Sequence, residues 1–121
     1  MPGSMTYAVE IVLRERNYAV TETIRYDGNG PAAWTDADVE EVLKSMLLAI
    51  DRVKHPDTAD RHVALRGFSW IVEPTPDGVV IALEIPSGAA VAGPFVIDAS
   101  HLDRMITRVL AASAPARPVV H

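Results

Sequence analysis

Trp34-Thr35-Asp36-Ala37-Asp38-Val39-Glu40-Glu41-Val42-Leu43-Lys44-Ser45-Met46-Leu47-Leu48-Ala49-Ile50-Asp51-Arg52-Val53-Lys54 is the stretch on which the fold turns. Val39, Val42, Leu43, Met46, Leu47, Ile50 and Val53 recur at helical spacing and form one continuous apolar stripe. Thr35 is placed as the N-cap, and Asp38, three residues on, makes a variant of the capping box. Trp34, just before the cap, can pack on Val39 as a hydrophobic staple. Asp36, Glu40 and Glu41 oppose the positive end of the helix dipole; Arg52 and Lys54 complement the other end. Pro56 ends the helix at about His55. The methionine and leucines of the stripe read as core rather than as a cofactor box. A helix with one apolar stripe needs a surface to lie on, and the flanking sequence supplies it.

Upstream, Tyr7, Val9, Ile11 and Leu13 alternate with Thr6, Ala8, Glu10 and Arg14, a half-buried strand over 6–14. Glu15-Arg16-Asn17 makes a tight turn, and Tyr18, Val20, Ile24 and Tyr26 resume the pattern. Glu22 interrupts the apolar side of this second strand. It reads as a strand end or bulge turned to solvent; the sharper alternative is a carboxylate in a cavity. Asp27-Gly28-Asn29-Gly30-Pro31 is turn chemistry and lacks the ligand spacing of a calcium loop.

Downstream, a polar linker over 55–61 precedes a long strand over 62–73. Pro74-Thr75-Pro76-Asp77-Gly78 is a turn, with proline presetting φ and glycine accepting positive φ. A strand over 79–85 follows. Pro86-Ser87-Gly88 breaks it, 89–93 reads as a tight small-residue crossover, and 94–97 as a short last strand. Ser100 is placed to cap a final helix, with Asp103 at the capping-box position and Leu102, Met105, Ile106, Val109 and Leu110 as its stripe. The order is β-β-α-β-β-β-α. The class is α+β: an antiparallel five-stranded sheet with the long helix packed on one face. Profilin-like and longin-like domains share this element order, and a double-stranded-RNA-binding domain shares part of it. No residue motif accompanies the analogy, and topology does not transfer function.

The chain is one domain long at 121 residues. Residues 1–5 read as a tag or leader, 6–112 as the domain and 113–121 as a disordered tail containing prolines. Hydrophobic residues make up 49%, too many for a disordered chain. No apolar run is long enough to span a membrane, so neither a membrane nor a secretory route is expected, and the cytoplasm is. The absence of cysteine removes disulfides, thiolate metal sites and a thiol nucleophile. The net charge of -5 argues against nucleic acid as a partner.

Candidate chemistry is sparse. His55, Asp57, Asp60 and His62 form the one histidine–carboxylate cluster with weak metal-ligand spacing. Asp98, His101 and Asp103 read as helix-start residues before a general base. Gly88 to Gly93 has P-loop spacing, but Pro94 replaces the lysine. There is no G-x-S-x-G elbow and no G-x-G-x-x-G fingerprint. Arg14, Arg16, Arg25 and Arg66 could share the more polar side of the sheet, and with Glu10 and Glu84 in reach they are expected to pair across strands rather than to recognise an anion. No cofactor is expected, and the reading leans away from an enzyme.

The sharper clue is the third strand. Val63, Leu65 and Ile71 point one way, and Phe68, Trp70 and Val72 the other, with Ala8, Val12, Ala64, Val80 and Ala82 expected beside the second set. Either the final helix covers that face or a partner does. The reading is therefore a protein-interaction module, self-associating as a homodimer through Phe68, Trp70, Val72, Val80 and Val12. The alternative is a small-ligand or enzymatic pocket between sheet and helix, using Glu22, His62 and His101.

Overall fold

In the computed structural model of the chain, residues 5–16, 19–57 and 63–113 are described. The elements are β1 (Met5–Leu13), β2 (Ala19–Tyr26), a 3-10 turn (Pro31–Ala33), α1 (Asp36–Lys54), β3 (Ser69–Thr75), β4 (Gly78–Ile85), β5 (Gly88–Phe95) and α2 (Ala99–Ser113). The strands form one antiparallel sheet in the order β2-β1-β5-β4-β3. The chain is thus α+β with the expected element order.

The long helix begins where its cap says it must. Thr35 Oγ1 accepts from the Asp38 amide at 3.4 Å, and Asp38 Oδ2 accepts from the Thr35 amide at 2.8 Å. His55 is the C-cap, one residue before Pro56. The stripe from Val39 to Val53 is buried. It lies over Val9 and Ile11 of β1 and Ala90 and Ala92 of β5, and shares one core with Ile81 and Leu83 of β4, all at most 1% exposed.

The final helix joins the same side. Leu102, Met105, Ile106 and Val109 belong to this one core, and Arg108 donates to both carboxylate oxygens of Asp36 at 3.0 and 2.9 Å. It leaves the opposite face of the sheet open. Its start also differs from expectation. Asp98 Oδ2 accepts the His101 amide at 2.9 Å, so Asp98 caps the helix and Ser100 lies within its first turn.

Two strands are placed differently from their sequence reading. The segment 88–95 is not a crossover but β5, central in the sheet between β1 and β4. Its core positions are alanines because α1 lies directly above them. Gly88 approaches β1 so closely that a Cβ there would sit 2.4 Å from the Val12 carbonyl oxygen. The third strand starts at Ser69 rather than 62. Gly67, at φ +78°, and the Arg66 amide, bonded to the Ala64 carbonyl at 2.9 Å, hold the chain out of the ladder before it. The strand then continues through Pro74, which an edge strand tolerates because its outward position needs no N–H donor.

Met5, expected in the leader, opens β1. Residues 1–4, 17–18, 58–62 and 114–121 lie outside the described residues, among them Tyr18, expected in the second strand.

Candidate functional site

Strand register decides which side chains share the open face. Ile71 stands opposite Ala82, Ala82 opposite Val91, and Val91 opposite Glu10. Val12 stands opposite Ala89, and Val80 opposite Glu73. One row across the sheet is therefore Thr21, Glu10, Val91, Ala82 and Ile71. Exposure follows: Ile71 is 56% exposed, Val12 44% and Val91 38%. Ser69, Ile71, Ala82, Glu84 and Ala89 outline a shallow, largely apolar depression on this side. Glu10, Glu73 and Glu84 give the face an acidic frame, with Arg14 at one corner.

The five residues expected to share one face do not. Val12 and Val80 lie on the open side; Trp70 and Val72 lie on the helix side, half-buried against the core, where Phe68 packs as well. Ile71 takes the place assigned to Trp70. Within β3 the period of two parts Ile71 from Trp70 and Val72, but Leu65 is buried and Val63 packs against the core rather than sharing the side of Ile71, because the chain before Ser69 is out of the ladder. The alternation is also apolar on both sides, so it does not say which set meets the helices. The bulkier set does. Ile71 was missed for this reason; Val91 was missed because 89–93 read as a crossover, and its β-branched side chain is the one signal there for a strand.

The expected pocket residues are apart. Glu22 faces α1 from the edge strand and accepts from Arg52 Nη2 at 3.0 Å and from Arg52 Nε at 3.3 Å. It is neither turned away to solvent nor left in a cavity. His101 is exposed in the first turn of α2, and His62 lies outside the described residues. Of the metal candidates, His55 and Asp57 are exposed, and Asp60 and His62 lie outside the described residues. Among the described residues no group of three histidine, aspartate or glutamate side chains is arranged to hold a metal ion.

The loop 27–31 has a structural use that its sequence did not disclose. Asp38, 6% exposed, accepts from the Tyr26 hydroxyl, from Asn29 Nδ2 at 3.0 Å, and from Thr35 Oγ1 at 3.0 Å. Trp34 Nε1 donates to the Asn29 carbonyl at 2.9 Å, and its ring lies 4.8 Å from that of Phe95. Burial works to raise the Asp38 carboxyl, but these hydrogen bonds outweigh it and hold the group at about 2. Burial, with the hydrogen bond to Asp38, pushes the Tyr26 hydroxyl up to about 12. This clasp ties β2 to the start of α1. Both Asp38 carboxylate oxygens are used within it.

The arginines do not make the expected cross-strand pairs. Arg25 pairs with Asp27 at 2.9 Å, and Arg16 donates to the Val53 carbonyl at 3.4 Å. Among the described residues no helix is long and apolar enough to cross a membrane. No known protein family, characterised protein or solved structure matches the chain.

Proposed function

We propose that the chain is a protein-interaction module that pairs with a second copy of itself through the bare face of its sheet. One observation carries the reading: both helices lie on one side, leaving Val12, Val91 and Ile71 exposed on the other, with Ala82 between the last two. Size suits a second copy. Five strands about 4.8 Å apart, with about eight residues rising about 3.3 Å each, present roughly 600 Å² per molecule. Two such faces bury roughly 1,200 Å², the lower end of a specific interface, with the sheets packed about 10 Å apart. Pairing is therefore weak and concentration-dependent. Glu10, Glu73 and Glu84 repel their counterparts across such an interface, so added salt tightens it. Nucleic acid does not suit this acidic frame. A cytoplasmic setting goes with the reading, since the core is held without a disulfide.

The test is sedimentation velocity from low to high micromolar concentration. The mass doubles with concentration in the wild type, and Val91→Glu stays monomeric with an unchanged thermal midpoint. A wild-type monomer throughout the range overturns the proposal.

A further inference from the structure

We propose that the end of the molecule around the β4–β5 turn binds a small anion of the phosphate class. A cleft of about 480 Å³ opens there, walled by Leu13, Arg14, Arg16, Lys54, His55 and Ser87, with Glu15 as the one acid on its lining. That size falls in the range of small-molecule sites. The charge is unusual for this chain. Elsewhere the bases are matched by neighbouring acids: Arg25 with Asp27, Lys44 with Glu40, Arg52 with Glu22, and Arg108 with Asp36. Arg14, Lys54, Arg66 and Arg104 have no ion pair among the described residues. Two of these four stand beside the turn, and the third is near it in a cleft that also holds Asp51. Arg14 and Lys54 line the cleft, and Arg66 lines the adjoining one with Lys54.

A plain structural use exists for cations at this place, because α1 ends here with a partial charge of about −0.5. Arg16 already answers it by donating to the Val53 carbonyl. Arg14 and Lys54 are in excess of that need. Two cations on the lining of one cleft favour a doubly charged oxyanion, held by charge-assisted hydrogen bonds. Leu13 and Pro86 offer an apolar wall to whatever the phosphate is attached to.

The experiment is an amide-resolved NMR titration with inorganic phosphate, at ionic strength matched with potassium chloride. Saturable shifts at the amides of Arg14, Lys54 and Ser87 are expected. Arg14→Gln and Lys54→Met each weaken binding about tenfold, the worth of one strong charged contact. Arg104→Gln, which removes an unpaired cation on α2, leaves it unchanged. The proposal is overturned if chloride alone reproduces the shifts, or if Arg104→Gln weakens binding as much as Arg14→Gln. Repeating the titration in the Val91→Glu protein gives the same affinity, since the cleft does not depend on pairing of the sheet faces.

Discussion

The two faces of the sheet are built from the same strands and meet opposite fates. Facing the helices, Val9, Ile11, Ile81, Leu83, Ala90 and Ala92 are sealed from water. One residue along each strand, Val12, Val91 and Ile71 stand largely in it. An antiparallel sheet with one wet face ordinarily carries polar side chains there. Here the wet face carries Val12, Val91, Ala82 and Ile71, with Glu10 beside Val91 and Glu73 and Glu84 toward the β3 side. The difference teaches that burial is set by where α1 and α2 fall, not by the alternation within the strands. It also locates the surplus: the covered side spends its apolar residues on stability, and the open side has no such use for them within one molecule.

That contrast is open to direct attack. Ile81→Ala cuts into the covered face under both helices and lowers unfolding free energy by about 3 kcal/mol, measured by denaturant titration. A loss below about 1 kcal/mol shows that the covered side is loosely packed.

Asp38→Asn acts at the margin of the same side, where the clasp closes β2 onto α1. It costs about 2 kcal/mol, through lost capping and an impaired hydrogen-bond cluster. It also changes the response to acid. The folded carboxyl sits at about 2 and the ordinary value is 3.8, so the unfolded chain takes up the proton first. Stability that Asp38 supplies above about pH 4 is lost as pH falls toward 2. In Asp38→Asn that part of the acid slope disappears. An unchanged slope assigns the acid sensitivity to other carboxylates.

Tyr7→Phe probes the one buried side-chain oxygen that lacks a hydrogen-bond partner among the described residues. Burial pushes this hydroxyl up to about 12; Ser45, near enough to act on it but not placed to make a well-formed hydrogen bond, and the Arg52 charge pull the other way. Removing it keeps the edge-to-face contact of the ring with Phe95, whose centroid is 5.3 Å away. The variant gains up to about 1 kcal/mol by shedding an unpaired polar group. A loss of stability reveals a partner for the hydroxyl, such as a bridging water.

Ile71→Ala has the smallest effect on folding, within about 0.5 kcal/mol, because the side chain is largely solvated already. Its effect on self-association is the opposite: paired molecules separate at concentrations where the wild type remains paired. A large folding defect with normal pairing reverses the roles assigned to the two faces.

α1 was legible because its signals are redundant, whereas α2 was read from its stripe with its cap misplaced by two residues. Thr35, Asp38, the apolar stripe and Pro56 each point to the same boundaries. The β1 and β4 strands were legible from alternation and turn residues. β5 was not, since Gly88, Ala89, Ala90, Ala92 and Gly93 present neither alternation nor bulk. What makes that segment a strand is the close approach of β1 and α1, a tertiary fact. The site was half legible. The existence of a spare apolar face followed from Val12, Val80 and the third strand, but its membership did not. Trp70 and Ile71 are both plausible on either side until the helices choose. The pairing of Glu22 with Arg52 joins residues far apart in sequence, and no local pattern announces it.

The central position of β5 has a consequence for the order in which the protein takes shape. The β1–β2 hairpin and the β3–β4–β5 meander close through short turns and form early on local contacts. The seam that joins them runs between β1 and β5, the first and last strands of the sheet in sequence. Closing it draws together chain ends that start far apart, a slow, non-local step. Until it closes, both half-sheets carry an unpaired edge, and the alanines of β5 cover nothing. A ribosome-bound chain that has not yet released β5 is thus held as two separate halves. The residue composition least suited to announce a strand belongs to the strand on which the whole sheet waits.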